Sequence, residues 1–600
     1  MEYLPEDKHD QTFNIFETLF GLETSNGKST LDGEEFKQEL YIVMDEWFRK
    51  RFSDQPAVFV FDDMHWADAA SIQLINKMLQ LTDVIPIVMI CALRVDHSSP
   101  GWQIRSAADE NYHHRYTEMS LRPLSEADSN ELVNRLLEIA ELHDKLRASI
   151  LEKSDGNPFF IEEVIRALIE NDIVVPEERV ENGVTKNYWV STSDGSDFSI
   201  PDNLQSLLSA RMDQLEESTR ATLQLASVIG RNFYLRVLQA VNTSSPELDK
   251  QVGTLLRLDM IRESARVPEV EYSFRNPLTQ EAVYKTILLK HRREFHKRVA
   301  EAMENLYQDR LDGKFGLLAH HYTLAGENIK AIDYCRKASQ QAVNVYAYEE
   351  AEKNLRVALE LLASQENAEL QMYVLEELAD VCRIVRDFVE AITIYQEALD
   401  YWSKLDEGDK SVHLRLNRKI VEIATEAKWS VDAKTYEQVS EISKKSHSSL
   451  HSSLDGMMES EPHSETVKML VALSNDAWRV QTPVDWQKAQ MYAEDAVIIA
   501  EQLKDKGLQS MALGALATSL DGQSMLRDHL NVAQRRFEIS ENDSTVTVHE
   551  KIDATRCLGS AFMYVGEYSQ ALPYLELAES LAKNVRAPDQ IANATGLMAQ

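Results

Sequence analysis

The chain has 600 residues, 44% hydrophobic and 27% charged, and is long enough for several globular domains. Its 98 Asp and Glu outnumber its 63 Lys and Arg, and the formal net charge of −35 argues against nucleic-acid binding. The four cysteines form no CxxC pair, the first residues are charged, and the longest apolar run (84–93) is far shorter than the roughly 20 residues that span a bilayer. The composition therefore predicts a cytoplasmic protein with no disulfide framework, zinc site, signal peptide or membrane span.

The first part of the chain has the pattern of a small α/β module. Its predicted elements are helices around 13–19 and over 34–52, a strand at 57–61, a helix at 69–81 and a strand at 85–90. Strand, helix and strand at this spacing predict a βαβ unit whose parallel sheet is buried on both faces. Asp62 and Asp63 follow the first strand directly, so they are expected at the carboxyl edge of the sheet, where α/β folds bind ligands.

The middle of the chain returns to helical periodicity. Helices are predicted over 125–171 with a break at 156–158, and the polar stretch 180–200 is expected to be a hairpin or a linker. From 200 to 306, helices alternate with a short strand pair near 260–263 and 270–274. Helices with a small hairpin suggest a winged-helix domain.

The last part of the chain is almost wholly helical and repetitive. An alanine recurs with a large residue four places later and a small one seven places later, and weaker copies stand at Ala351, Ala433, Ala489 and Ala533. This pattern resembles tetratricopeptide repeats, although a generic helical bundle is the alternative. The best instances are Ala331/Cys335/Ala338, Ala391/Tyr395/Ala398 and Ala571/Leu575/Ala578.

One string around the two aspartates is far more specific than a strand that ends in acids. Residues 62–68 read DDMHWAD, and this string resembles the extended Walker B motif of the STAND and AAA-like signalling ATPases attached to bacterial adenylate cyclases and transcriptional regulators. The resemblance implies that Asp62 orders Mg²⁺, through water, on the phosphates of ATP or ADP. It also implies that Asp63 polarises the attacking water, which makes these two residues the candidate catalytic pair.

Further strings fit the same family. CALR ends the second strand, and the resemblance implies that Arg94 is a sensor of the γ-phosphate, although Ala92 stands where a hydroxyl is usual. GNPFFIEE at 156–163 is similar to the family's lid, in which Gly156 and Pro158 would lie near the adenine. The alternative is that these two residues cap one helix and start the next.

The arm downstream of the lid completes the resemblance. Asn276 departs from the histidine expected after Phe274 and Arg275. The resemblance predicts a mainly α protein with a partial α/β nucleotide module and an α-solenoid. Its predicted domains are a partial P-loop NTPase core at 1–125, a helical lid at 126–180, a winged-helix arm at 181–310 and tetratricopeptide-like repeats at 311–600.

The phosphate loop of such an ATPase is missing. A P-loop needs GxxxxGK[ST] between a buried strand and a helix, so that backbone N–H groups surround the phosphates. The sequence GKST at 27–30 has the wrong spacing from Gly21 and follows a helical pattern, so Lys28 is interpreted as a solvated loop residue. Hydrolysis of ATP by this chain is therefore not expected.

The sequence leads to two hypotheses from different classes. The first is a STAND-type regulatory switch that uses ATP or ADP with Mg²⁺ and senses a protein or ligand on its repeats, with self-association as a further expectation. The second is a non-catalytic scaffold in which a degenerate nucleotide fold supports a protein-binding repeat array. Neither hypothesis includes a nucleic-acid or membrane partner.

Overall fold

The computed structural model divides the chain into two compact units and is mainly helical in its described residues, which confirms the predicted fold class. The first unit comprises Met1–Tyr116, Asp312–Gly316 and Ile332–Gln600, and the second comprises Thr117–Leu311 and Leu317–Ala331. The described residues are 12–13, 15–16, 33–53, 55–97, 99–137, 139–181, 184–192, 200–201, 203–242, 247–267, 269–308, 311, 313–345, 347–363, 365, 367–405, 410–428, 430–458, 462–481, 483–541, 543, 546–584 and 594–598.

Residues 33–111 of the first unit form a small α/β module. Its elements are α1 (Gly33–Phe52), β1 (Ala57–Phe61), α2 (Ala69–Met78), β2 (Ile87–Cys91) and α3 (Trp102–Asn111). The predicted βαβ order is confirmed, since β1 and β2 pair in parallel across the helix between them. One face of this sheet packs Phe59 and Met89 against Phe48 of α1 and Met78 of α2. Burial of these large side chains stabilises the module.

The other face of the same sheet is exposed, which corrects the expectation of burial on both faces. Val58 and Val60 of β1 lie in register with Val88 and Ile90 of β2. These four apolar side chains are between 48% and 65% exposed. A continuous apolar run cannot distinguish the two cases, because burial of the second face depends on an element that covers it. Parallel sheets are ordinarily covered on both faces, so this module has the form of an incomplete layer.

The second unit begins with a helical bundle against a small sheet. Its elements are α4 (Glu126–Leu137), β3 (Ile139–Glu141), α5 (Asp144–Ser154), α6 (Pro158–Glu170), β4 (Val174–Glu181) and β5 (Val184–Ser191). The predicted alternative of a hairpin in the polar stretch is confirmed, because β4 and β5 pair antiparallel, and β3 pairs with β5. The predicted boundary between 180 and 181 falls inside this hairpin, so the strands on both sides of it share one sheet.

The rest of the second unit combines helices with a three-stranded antiparallel sheet of order β6-β8-β7. The predicted strand pair is present as β7 and β8, with Ile261 opposite Phe274. Helices and a small antiparallel sheet are both present, as a winged-helix domain requires. The assignment to that fold stays a prediction. The elements are α7 (Leu204–Asp213), α8 (Glu217–Ile229), β6 (Asn232–Tyr234), α9 (Leu235–Val241), α10 (Leu248–Arg257), β7 (Ile261–Ala265), β8 (Glu271–Phe274), α11 (Pro277–Thr286) and α12 (Leu289–Leu306).

The C-terminal part is a series of helices joined by short turns. Ala331, Ala391 and Ala571 are buried, as the repeat pattern predicts, but Ala433 is exposed at the start of its helix and is not a packed repeat position. The helices are α13 (Phe315–Ala325), α14 (Asn328–Asn344), α15 (Tyr348–Leu362), α16 (Ala368–Ile384), α17 (Phe388–Trp402), α18 (Lys410–Ala427), α19 (Ala433–Met458), α20 (Ser464–Arg479), α21 (Trp486–Leu503), α22 (Lys506–Gly522), α23 (Leu526–Glu541), α24 (Val548–Tyr564) and α25 (Tyr568–Asn584).

Ion pairs join α14, α16, α18 and α20, which are alternate helices of this series. Burial alone would raise the pKa of Glu376, but Arg415 and Lys419 of the next repeat hold it below its ordinary value. The charges on these helices are therefore largely satisfied by neighbouring repeats. The pairs that join these four helices are Arg336–Glu377, Arg415–Glu376, Lys419–Glu376, Lys419–Asp380, Arg383–Glu422, Arg383–Glu426 and Arg418–Glu465.

Across the described residues, none of the helices combines the length and the apolar character needed to cross a bilayer.

Candidate functional site

The carboxylates of the candidate catalytic pair lie where β1 ends. Asp62 is exposed, and its Oδ1 accepts a hydrogen bond of 2.9 Å from the backbone N–H of Asp63. Asp63 has a left-handed backbone (φ 55°), a conformation that costs a non-glycine residue about 1 kcal/mol or more. An exposed carboxylate at this edge is chemically suited to water-mediated binding of Mg²⁺.

The ends of the two strands are held together beyond the sheet. The N–H of Ala92 donates to the carbonyl of Phe61 (2.8 Å), and the carbonyl of Ala92 accepts from the N–H of Met64 (2.9 Å). Residue 92 therefore fixes the turn that carries Asp62 through its backbone, whatever its side chain. Arg94 follows two residues later, is exposed, and has no hydrogen-bond or ion-pair partner among the described residues. The structure thus places Arg94 on the segment after β2, at the same edge as Asp62.

Two residues of this region were missed by sequence reasoning. A Cβ at Gly101 would lie 2.4 Å from the carbonyl oxygen of Met64, so only glycine fits there without a shift of the backbone. Both ring nitrogens of His65 are shielded from solvent and have no hydrogen-bond partner within the described part of the chain. Sequence patterns held no signal for Gly101, because its contact with Met64 joins positions 37 residues apart. His65 lies inside the string DDMHWAD but was assigned no role there.

The last aspartate of the string has a structural role. Asp68 is the N-cap of α2, and its carboxylate accepts hydrogen bonds from the N–H (2.8 Å) and the hydroxyl (2.7 Å) of Ser71. This cap satisfies one of the unpaired donors at the start of the helix. The string DDMHWAD thus contains an exposed aspartate that is a candidate Mg²⁺ ligand, Asp62, and a second exposed aspartate, Asp68, whose carboxylate caps a helix.

In the second unit, Gly156 and Pro158 cap and start helices, as the alternative interpretation predicted. Gly156 has a positive φ of 72°, and Asn157 is the N-cap of α6 with Pro158 in the first turn. Gly156 also allows a close approach, because its Cβ would lie 2.4 Å from the carbonyl oxygen of Leu124, whose N–H donates to the carbonyl of Gly156. Contact with adenine stays a prediction. Gly156 and Pro158 belong to a different unit from Asp62, Asp63 and Arg94.

A buried ion network joins the lid helix α6 to the arm. Arg211 of α7, with a side chain 4% exposed, pairs with Glu163 and with Glu170 (2.6 Å). Arg166 of α6 and Arg275 of the arm both donate to Asp259, and these arginines hold the pKa of Asp259 below its ordinary value against the effect of burial. The guanidinium groups of this region are therefore occupied by carboxylates of the chain itself.

The departure at Asn276 has a local explanation. Asn276 is the N-cap of α11, and its side-chain oxygen accepts a hydrogen bond of 2.8 Å from the N–H of Leu278. Pro277 occupies the first turn, where its missing N–H costs nothing. The residue that replaces the expected histidine thus serves the start of a helix.

The residues present fit the metal part of a nucleotide site but not its phosphate part. Mg²⁺ is ordinarily held by one or two carboxylates together with substrate phosphates, and an exposed Asp62 meets that requirement. Among the described residues, no group of three or more His, Cys, Asp or Glu is arranged to hold a metal alone. Lys28, the one lysine considered for the phosphates, lies outside the described residues.

Sequence comparisons with protein families and curated proteins match only parts of the chain. A family profile described as a domain of unknown function (DUF8739) matches residues 125–186. An uncharacterized protein from Rhizobium meliloti (strain 1021) is 25% identical over 357 residues, which make up 58% of this chain and 32% of that protein. The chain thus spans about a third of the length of the curated relative it matches.

Solved structures with a related arrangement are distant in sequence. A STAND protein with a tetratricopeptide repeat sensor from Pyrococcus horikoshii is 10% identical and has a TM-score of 0.47, with 99% of this chain and 78% of that chain covered. The apo form of the quorum sensor NprR from B. thuringiensis is 11% identical and has a TM-score of 0.30, with 56% and 97% covered. TM-scores below 0.5 at these identities leave the function to be argued from the residues.

Proposed function

We propose that this chain is part of a STAND-type regulatory protein in which a nucleotide-dependent switch responds to a protein or ligand bound on helical repeats. The observation that carries the proposal is the turn after β1. It holds an exposed Asp62 at the carboxyl edge of a parallel sheet, in a string that resembles the family's Walker B motif. Mg²⁺, when bound, would neutralise charge on the nucleotide phosphates.

The chain's own residues have separate roles in this proposal. Asp62 holds a water of the Mg²⁺ shell, Asp63 faces the same edge, and Arg94 supplies a cation on the neighbouring segment. Gly156 and Pro158 set the shape of the lid. Because the sequence holds no GxxxxGK[ST] motif, the proposed activity is nucleotide binding and signalling, and hydrolysis is not part of it.

A second function is favoured by one specific observation. The sheet that would carry the nucleotide presents four exposed apolar side chains, which is the form of an incomplete fold. In that case the chain is a non-catalytic scaffold, and the repeats that bind a protein partner carry its function. Tetratricopeptide-like helix pairs are suited to this role because stacked repeats form extended surfaces.

Binding of a fluorescent ADP analogue to the purified chain, with and without Mg²⁺, separates the two functions. The switch proposal predicts micromolar binding that Mg²⁺ strengthens, and loss of the Mg²⁺ effect in Asp62→Asn. Asp68→Asn is the matched control, because asparagine also caps helices and this position is assigned no contact with the metal. Absence of binding up to millimolar nucleotide would leave the scaffold function. An equal response of both variants would remove Asp62 from the proposed site.

A further inference from the structure

The turn between α11 and α12 is both apolar and cationic. Leu288 and Leu289 are 70% and 74% exposed. Lys290 and Arg293, on the first two turns of α12, are exposed and have no ion-pair partner among the described residues. We call these four residues the cationic turn. A surface of this kind stands out in a chain whose net charge is −35.

Folding of the unit does not account for the cationic turn. Two other cations of the same helix are used by the fold, since Arg292 donates to the carbonyls of Ile287 and Lys285, and Arg298 to a carbonyl of α9. These two cations instead stand near the N-terminus of α12, where the helix dipole disfavours positive charge and the first turn holds no acidic residue. Exposed leucines beside them add no burial to the core. Such a patch is typical of an interaction site.

A surface of matching character lies on α21. Met491 and Ile498, seven residues apart and therefore on one side of the helix, are 48% and 54% exposed. Glu494 lies between them and is exposed, and Asp495 is adjacent. Burial, followed by the charge of Glu494, raises the pKa of Asp495, and no cation of the described residues offsets that effect. We call these four residues the acidic face.

We infer that the cationic turn of one copy of this chain binds the acidic face of a second copy. The leucines would cover Met491 and Ile498, while Lys290 and Arg293 would neutralise Glu494 and Asp495. Each side supplies the opposite charge and an apolar cover for the exposed apolar side chains of the other. A nucleic acid offers the charge alone, and the surplus of carboxylates on this chain opposes approach to a nucleic acid or to an anionic membrane.

The geometry of this contact determines what assembles. The two surfaces differ, so the contact is heterologous, and a single contact leaves one free surface of each kind on the pair. Assembly therefore either closes into a ring, which needs as few as two copies, or continues as an open chain. This inference is independent of nucleotide binding.

Sedimentation velocity from about 1 to about 100 µM protein tests the inference, which predicts a dissociation constant within that range. One variant carries Leu289→Asp with Arg293→Glu, and the other carries Ile498→Asp with Glu494→Lys. The wild type is expected to grow with concentration, and each variant to associate at least about tenfold more weakly. Exposed Val267→Ser is the matched control and is expected to assemble like the wild type.

A mixture of the two variants gives the sharpest result. Each variant keeps one intact surface, so an equimolar mixture is expected to form a dimer and to stop there. Matching circular dichroism spectra and melting temperatures exclude misfolding of the variants. A wild type that stays monomeric over the whole range, a variant that assembles like the wild type, or a mixture without dimer would overturn the inference. Binding of monomeric wild type to phosphatidylserine vesicles, abolished in the first variant, would replace the second copy by a lipid surface.

Discussion

A buried histidine pair should make the second unit sensitive to mild acid. Nδ1 of His296 on α12 lies 2.8 Å from Nδ1 of His321 on α13, and the hydroxyl of Tyr284 lies 2.9 Å from Nε2 of His296. Only one hydrogen fits between the facing nitrogens, so the pair cannot carry two charges. Burial, with His320 and Arg292 nearby, lowers the pKa of His296 to about 4. Burial and His296 lower the pKa of His321 to about 3.

The sign of the effect follows from these directions. A histidine whose folded pKa lies below the unfolded value of 6.5 contributes full stability above pH 6.5 and loses it as the pH falls toward the folded value. For a single buried histidine with a folded pKa of about 4, the loss at pH 5 is about 2 kcal/mol. Carboxylates with lowered pKa values, such as Glu376 and Asp553, lose stability only below about pH 5. The window from pH 6.5 to 5 therefore reports on histidine.

The variant His296→Gln tests this reasoning, because an amide still forms hydrogen bonds but does not titrate. Urea unfolding at pH 7 and pH 5, with hydrogen exchange in peptides from 289–325, measures the stability of the helix pair. The wild type is expected to lose about 2 kcal/mol more than the variant between these pH values. His291→Gln, an exposed histidine on the same helix, is the control and should behave like the wild type. An identical loss in wild type and His296→Gln would refute the role of the pair.

Two further predictions concern the second unit. Gly156→Ala should lower the free energy of unfolding of this unit by about 2 kcal/mol or more, because φ is positive there and the carbonyl of residue 124 blocks the new Cβ. Gly253→Ala should stabilise the unit by up to about 1 kcal/mol, because Gly253 lies inside α10 and its Cβ would face open space. Arg211→Met should cost up to about 3–5 kcal/mol, because Glu163 would remain buried with only its longer ion pair to Arg166 (3.7 Å), whereas Lys250→Met at an exposed pair should cost under about 1 kcal/mol. Urea titrations measure both contrasts, and equal effects within either set would contradict the argument.

Local patterns in the sequence were sufficient for much of the fold. The strand at 57–61 was predicted with its exact limits, because a short apolar run stops at two carboxylates that a buried strand cannot contain. Alanines such as Ala391 were correctly predicted at buried positions, since a repeat imposes the same close approach at each copy. The alternative interpretation of Gly156 and Pro158, as the end of one helix and the start of the next, rested on equally local patterns.

What the sequence could not show depends on residues distant in the chain. Val58 and Val60 were expected to be buried, and only the missing cover makes them exposed. The partner of His321 is His296, which lies 25 residues earlier on another helix. Gly101 is required by a carbonyl 37 residues away. Neither the periodicity of apolar residues nor the helix and strand propensities of single residues predict such long-range contacts.

The ion pairs between alternate helices also limit how this protein can change over time. Where neighbouring repeats meet only through alanines and leucines, a repeat can be duplicated, lost or exchanged with little penalty. Here Arg383 reaches Glu426 of the next repeat, and Arg418 reaches Glu465 of the one after it. If a repeat were removed, Arg383 or Arg418 would lie beside a different helix and would lose its carboxylate partner. Point substitution is therefore open to this array, while shuffling of whole repeats is not.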